Sequence, residues 1–242
     1  MVIYGKQAVF ESLNSPESIS KVFINKELDK SQISKTLRLI REHNIPFSLV
    51  PIQKLNSLTP ENHQGIVGIL SAIKFSKIED FVIDNDESQL FLLLDGITDT
   101  RNLGAIIRSA AGANVKAVIL PSSGNAQITG ETVKTSAGSI FNVPICRVNH
   151  IKDAVYYLND YDFQIIIADG NATRTISQFD LNTSTAIIIG SEDKGVSRGV
   201  KKICRNFAKI PINDKVNSYN VSVAAGMFLY EAMRQRIKYK NN

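Results

Sequence analysis

Residues 90–108 read LFLLLDGITDTRNLGAIIR, and this stretch decides the fold. Leu90–Leu94 is a continuous apolar run, not an alternating one, as expected of a strand covered on both faces. Beyond the turn at Asp95-Gly96, the residues Leu103, Ile106, Ile107 and Ala110 recur at i, i+3, i+4 and i+7, one face of a helix. Three more apolar runs follow, Val115–Leu120, Phe163–Ala168 and Ala186–Ile189, with helical patterns between them. Strands alternating with helices predict an α/β fold built on a parallel sheet, with helices on both faces. In such sheets ligands bind beyond the carboxyl ends of the strands.

Upstream, a smaller α/β unit is expected over residues 1–75. Ile19–Asn25 alternates as a strand, Ser31–Asn44 carries Ile33, Leu37 and Ile40 on one helical face, and Ile45–Val50 and Gly65–Phe75 read as strands. Residues 76–88 are polar and acidic and read as a linker, leaving 89–242 as the second domain. The whole chain carries 28 Lys+Arg against 23 Asp+Glu. Seven of those acids lie within residues 79–99, where there is no base, so the rest of the chain and the C-terminal stretch Arg234–Lys240 are strongly basic. That distribution suits a polyanionic partner such as nucleic acid, and equally a solubilising surface. No apolar run is long enough for a membrane helix, and no secretory signal opens the chain, so a cytoplasmic protein is expected. Cys146 and Cys204 are isolated, and His43, His63 and His150 are scattered, which supports no disulfide framework, metal site or nucleophile motif.

Chemistry concentrates in three loops. The first, Asp95–Arg108, offers Asp99, Thr100 and Asn102 as helix caps, a helix start whose free N–H groups suit a phosphate, and Arg101 and Arg108 along one helical face. The second, Gly190-Ser-Glu192-Asp-Lys-Gly195, places a carboxylate between glycines after a buried strand, and Gly190 permits close approach of a ligand to the backbone. The third runs from Ile210-Pro211 to Ser218-Tyr219-Asn220, where another helix begins, followed by the small residues Ala224, Ala225 and Gly226. Taken singly, each loop also fits an ordinary capped turn. No G-x-G-x-x-G follows a strand and no G-x-x-x-x-G-K-[ST] occurs, so the common nucleotide-binding fingerprints are missing.

Together, in this order and spacing, the loops resemble the three motifs of the SpoU/TrmH family of the SPOUT class of RNA methyltransferases: Asn102-Leu-Gly104 to Arg108-Ser-Ala-Ala, Ile189-Gly190-Ser-Glu192-Asp-Lys-Gly195, and Ile210-Pro211 to Ser218-Tyr-Asn220-Val-Ser222-Val-Ala224. Tyr4-Gly5-Lys6-Gln7-Ala8-Val9 and His63-Gln64-Gly65-Ile66 resemble the opening and closing signatures of that family's RNA-binding N-terminal domain, which has a small ribosomal-protein-like fold. The two-domain arrangement is RlmB-like, and that branch methylates a guanosine ribose in 23S rRNA. The resemblance implies a deep C-terminal trefoil knot, S-adenosyl-L-methionine as cofactor, a homodimer, and ribose 2′-O-methylation of structured RNA. It places Gly190, Ile210 and Tyr219, with Ser218 and Asn220, at cofactor-contacting positions. Arg108, Asn102, Glu192, Ser218 and Asn220 fall at positions of catalysis or substrate orientation, with Arg101, Arg108 and His63 facing RNA and no metal. Two residues depart from the pattern: Tyr219 where leucine is usual and Asp214 where glycine is usual. A tRNA substrate, or an inactive RNA-binding assembly protein of the same fold, are the alternatives.

Overall fold

The computed structural model describes residues 1–13, 19–82 and 88–237. Asp84, Asp86 and Glu87 of the expected linker, and Lys238 and Lys240 of the basic C-terminal stretch, lie outside the described residues. The chain divides into two compact units, one formed by Met1–Lys74 with Ile128–Asn142 and one by Phe75–Gln127 with Val143–Asn242.

The first unit holds β1 (Val2–Tyr4), α1 (Lys6–Leu13), β2 (Ile19–Asn25), α2 (Ser34–Glu42), β3 (Phe47–Val50), α3 (Ile52–Leu58) and β4 (Ile66–Leu70). Its sheet runs β1-β4-β2-β3, antiparallel except for β2 against β3. Ile19, Val22 and Ile24 are the buried members of the alternating β2. The helix expected from Ser31 starts later. Asp29 accepts from the Ser31 N–H at 2.9 Å and caps a 3-10 turn over Lys30–Ile33, and the α-helix opens only at Ser34. The strand expected over Gly65–Phe75 stops at Leu70. The two terminal signatures of this unit meet. The Gly5 N–H donates to the Ile66 carbonyl at 3.2 Å, and the Lys6 N–H donates to Gln64 Oε1 at 3.2 Å. Gly130–Thr135 forms a further helix of this unit and packs on β1. An added Cβ on Gly130 would fall inside contact distance of the Val2 carbonyl, so only glycine fits there.

The second unit contains β5 (Phe75–Ser76), β6 (Leu90–Asp95), α4 (Thr100–Gly112), β7 (Ala117–Pro121), β8 (Ile145–Val148), α6 (Ile151–Asp160), β9 (Gln164–Ala168), β10 (Arg174–Thr175), β11 (Thr185–Gly190), α7 (Arg198–Lys201), β12 (Asn206–Lys209) and α8 (Val221–Arg236), the Gly130–Thr135 helix being α5. All eight strands are parallel, in the order β10-β12-β9-β11-β6-β7-β8-β5. The continuous apolar runs are the central strands. Leu90 through Leu94 are buried in β6, as is every residue of β11. Leu103, Ile106, Ile107 and Ala110 form the buried stripe of α4. Each of the buried leucines and isoleucines contributes about 1.5–3 kcal/mol of burial. The start of the expected linker is structured: Phe75–Ser76 pair with β8 at the sheet edge, and Ile78 belongs to the core.

From β6 the chain builds β7 and β8 to one side, then crosses to lay β11, β9 and β12 on the other. The strand order therefore reverses between β6 and β11, the position where open α/β sheets bind ligands. At the opposite ends of these strands, the half-buried Arg236 donates to the carbonyls of Leu181 (2.8 Å), Ser88 (3.2 Å), Gln89 (3.0 Å) and Thr183 (2.7 Å). It ties α8 to the amino ends of β6 and β11. Arg234 pairs with Glu231 at 2.7 Å. Neither residue is the loose cation that a basic C-terminal stretch suggests.

Candidate functional site

Local chemistry fixes each of the three loops. After β6, Asn125 Oδ1 accepts from the N–H groups of Gly96 (2.6 Å) and Ile97 (2.8 Å), while its Nδ2 donates to the Leu94 carbonyl at 3.0 Å. Asp99 then caps α4, accepting from the N–H groups of Arg101 (2.9 Å) and Asn102 (2.8 Å). This corrects the expectation of free N–H groups awaiting a phosphate at that helix start: the chain's own carboxylate already takes two of them. After β11 the chain folds back on itself. The Ser191 N–H donates to the Gly195 carbonyl at 3.1 Å and the Gly195 N–H to the Ser191 carbonyl at 2.9 Å, with Gly195 at φ +65°. Gly190 is required by this fold-back. A Cβ there would stand 2.1 Å from the carbonyl carbon of Gly195 and 2.1 Å from the Val196 nitrogen. The protein's own backbone thus makes a close approach at Gly190, which also lines the cleft described below. Asp95 Oδ2 accepts from the Ser197 N–H at 2.8 Å and joins the first loop to the second.

The structure brings three of the expected catalytic residues together. Asn102 Nδ2 donates to Glu192 Oε1 at 2.9 Å, and Asn220 Nδ2 donates to the same oxygen at 3.1 Å and to Asn102 Oδ1 at 3.2 Å. The direction of these bonds follows from the α8 cap. Asn220 Oδ1 accepts from the Ser222 N–H, the Ser222 hydroxyl and the Val223 N–H, so its amide nitrogen must face the site. That nitrogen donates to Asn102 Oδ1, which leaves Asn102 Nδ2 to donate to Glu192. Oε2 of Glu192 has no hydrogen-bond partner among the described residues.

Beside this network lies a cleft of about 420 Å³. Gly190, Glu192, Ile210, Ser218 and Tyr219 line it, and Ile189, Val221, Ala224 and Phe228 supply apolar wall. The volume and the mixed lining suit a small organic ligand. Tyr219 is half-buried, and its hydroxyl donates to the Pro211 carbonyl at 3.1 Å, which closes the loop on itself. A leucine could not make that bond. Asp214 sits in a turn whose Val216 N–H donates to the Asn213 carbonyl at 2.9 Å. Its φ is not positive, so the backbone there does not demand glycine.

Arg108 stands apart. It is exposed on α4, six residues and about 9 Å of helix rise beyond Asn102, and makes no hydrogen bond or ion pair among the described residues. Asn102 and Glu192 are bound to each other and to Asn220, and not to Arg108. Arg101 is exposed on the first turn of the same helix. His63 is buried, in the other unit, with Nε2 bonded to Asn56 Oδ1 at 2.8 Å and Nδ1 accepting from the Gly65 N–H at 3.1 Å. With both ring nitrogens occupied, it shapes the turn before β4. Sequence reasoning missed Asn125 and also Asp169 and Lys201, which line the cleft. The signal for Asp169 was an acid directly after the apolar run Phe163–Ala168.

A three-loop polar network beside a cleft, at the point where an all-parallel sheet reverses its order, defines an α/β domain that binds a small ligand without a glycine-rich phosphate loop. The chain belongs to the SpoU rRNA methylase family, which matches residues 89–230, and residues 2–76 match the RNA 2′-O ribose methyltransferase substrate-binding family. It is 33% identical over 239 residues to a Staphylococcus saprophyticus protein named for the TrmH family of tRNA/rRNA methyltransferases, covering 98% of this chain and 96% of that one. Its fold is similar to that of the SpoU methyltransferase AviRb from Streptomyces viridochromogenes in complex with the cofactor AdoMet (TM-score 0.78, 23% identity, 98% of this chain and 91% of that one). It is similar too to the fold of an AdoMet-bound rRNA methyltransferase from Sinorhizobium meliloti (TM-score 0.77, 23% identity, 98% and 88%).

Proposed function

We propose that the chain is an S-adenosyl-L-methionine-dependent RNA ribose 2′-O-methyltransferase whose substrate is a guanosine of 23S rRNA. The observation that carries this reading is the convergence of Asn102, Glu192 and Asn220, from three separate loops, at the edge of a cleft lined by Gly190, Ile210, Ser218 and Tyr219. S-adenosyl-L-methionine supplies an activated methyl group. The reaction forms an oxygen–carbon bond at the ribose 2′-oxygen, breaks the sulfur–carbon bond, and releases S-adenosylhomocysteine and a proton. The chain's own task is alignment, which can supply about 7–11 kcal/mol. The apolar wall of Ile189, Ile210 and Phe228 would hold the adenine, backed by the loop closed by Tyr219. The network locks Glu192 with Oε2 free to accept a hydrogen bond from the target ribose. Arg108 keeps all its donors for the phosphate beside that ribose. A guanidinium stays protonated, so it orients and does not act as the base, and the proton leaves to that phosphate or to water.

A homodimer belongs to the same proposal. Val223, Met227 and Tyr230 stand exposed on one side of α8 and line a shallow groove with Ile176, Ile210 and Pro211, an apolar surface suited to a second copy. The trefoil knot implied by the resemblance and a cytoplasmic location are also part of it. No helix among the described residues is long and apolar enough to cross a membrane.

The test is incubation with methyl-labelled S-adenosyl-L-methionine and 23S rRNA or tRNA from a strain lacking the gene, followed by mass spectrometry of nucleosides. 2′-O-methylguanosine in 23S rRNA is expected. Label in tRNA alone would overturn the substrate and keep the chemistry, cofactor binding without transfer to either RNA would point to an assembly intermediate as the true substrate, and absence of cofactor binding would favour an inactive assembly protein. In the same assay Arg108→Lys is expected to lose about 1–3 kcal/mol of transition-state binding, because lysine cannot make the bidentate phosphate contact. Near-normal turnover would remove Arg108 from this role.

A further inference from the structure

The cleft holds one charged pair that the chemistry above leaves unused. Asp169 follows β9 directly, and its Oδ2 accepts from Lys201 Nζ at 2.7 Å. Oδ1 accepts from the Asn171 N–H at 2.9 Å. The Asp169 side chain is only 16% exposed, yet it lines the cleft. Burial opposes its charge, but the hydrogen bonds from Lys201 and Asn171 outweigh burial and hold its carboxyl below the usual range. It is an ionised carboxylate within a small-molecule cleft.

Its place in the sheet shows which part of a ligand it meets. β9 lies between β11 and β12, and the Asp169 N–H donates to the Ala208 carbonyl at 2.9 Å. Gly190 ends the strand on one side, and Ile210 follows the strand on the other. Asp169 therefore occupies the middle of the cleft floor, between the two cofactor positions. The middle of S-adenosyl-L-methionine, between adenine and sulfonium, is the ribose. An ionised carboxylate has about four acceptor positions, and Asn171 and Lys201 use one on each oxygen. One acceptor remains on each oxygen, a pair that matches two vicinal hydroxyl donors.

We propose that Asp169 binds the 2′- and 3′-hydroxyls of the cofactor's ribose, with Lys201 fixing the carboxylate in place. The proposal rests on the cofactor assignment above. It is tested by calorimetric titration of the full chain with S-adenosylhomocysteine and with its 3′-deoxy analogue. The parent protein is expected to prefer the hydroxylated ligand by about tenfold or more, the worth of a hydrogen bond to a charged group. Asp169→Ala is expected to bind S-adenosylhomocysteine at least about tenfold more weakly and to distinguish the two ligands no longer. Asp169→Asn keeps the shape and serves if the alanine variant unfolds, and it too should lose most of the preference. Lys201→Met should weaken both ligands while keeping the preference. No preference in the parent, or a full preference in a folded Asp169 variant, overturns the proposal. Failure of the parent to bind S-adenosylhomocysteine at all would instead sink the cofactor assignment.

Discussion

Replacing Gly190 by alanine tests whether the second loop is closed by the protein's own backbone. The new Cβ would lie 2.1 Å from Gly195 and Val196 backbone atoms, and ordinary contact begins at 3.4 Å. One backbone must therefore retreat by about 1.3 Å, the shortfall between those two distances. The two hydrogen bonds between Ser191 and Gly195 resist that movement. Losing them costs about 1 kcal/mol each, and overpacking adds about 1–3 kcal/mol, so about 3–5 kcal/mol is expected. For a chain of this size that lowers the Tm by about 6–20 °C in a calorimetric scan. Glu192 lies two residues further on, and a shift of about 1 Å in a positioning group can cost about a hundredfold in rate. Its bonds to Asn102 and Asn220, at 2.9 and 3.1 Å, would open. Initial rates with methyl-labelled cofactor on rRNA should fall accordingly. Gly195→Ala is the control. Its Cβ meets only Lys201 Nζ, at 3.9 Å, and it should cost only the 1–2 kcal/mol or so of a left-handed φ. A Gly190→Ala protein that melts within about 1 °C of the parent and turns over normally would refute the fold-back argument.

Other consequences are as open to measurement. Arg236→Met removes one donor from each of four strand-end carbonyls, of which those of Gln89 and Thr183 still accept from Thr185, and should cost about 2–4 kcal/mol in thermal unfolding, while affinity for S-adenosylhomocysteine stays unchanged because the clamp lies at the far ends of the strands. Asn102→Ala and Glu192→Ala should be non-additive in methyl transfer, with a coupling of about 0.5–3 kcal/mol in a double-mutant cycle; simple additivity would mean that the network does not act as a unit. Burial, with help from Asp80 and Glu79, pushes the Cys146 thiol up to about 12, and burial pushes Cys204 up to about 11. Both thiols stay neutral in the fold but ionise near 9 once unfolded, so their contribution to stability is complete below pH 9 and is lost as pH rises towards 12. Thermal scans across that range should show the loss, and alkylation by iodoacetamide at pH 8 should be slow until denaturant is added.

What could be read from the sequence was what repeats at short range. The stripe of Leu103, Ile106, Ile107 and Ala110 and the unbroken run Leu90–Leu94 specify a buried helix face and a buried strand, and the structure has both. The start of α2 was misplaced because Asp29 caps a 3-10 turn first, a choice made by one side chain and not by periodicity. The association of residues 128–142 with the first unit was invisible, because it depends on Gly130 meeting Val2, far away in sequence. The site divides in the same way. Its residues were found as three motifs, but their bonding was not, since Asn102 and Asn220 are 118 positions apart. Asp169 carried only the signal of an acid after a strand, shared by many turns.

The Asn220 side chain links helix capping to chemistry. An N-cap needs only an oxygen facing its helix, and serine, threonine or aspartate could supply one. Only an amide supplies an oxygen for the helix and, on the same carbon, donors for the opposite direction. At Asn220 the oxygen takes the first N–H groups of α8, and the nitrogen reaches Asn102 and Glu192. Asn220→Asp would keep the cap, and even favour it through the helix dipole, while setting a carboxylate against Glu192. Fold stability should therefore fall only by the roughly 1–2 kcal/mol of the two lost amide hydrogen bonds, less the gain at the cap, while methyl transfer collapses. A variant that lost both together would show that the cap and the network are not separable in this way.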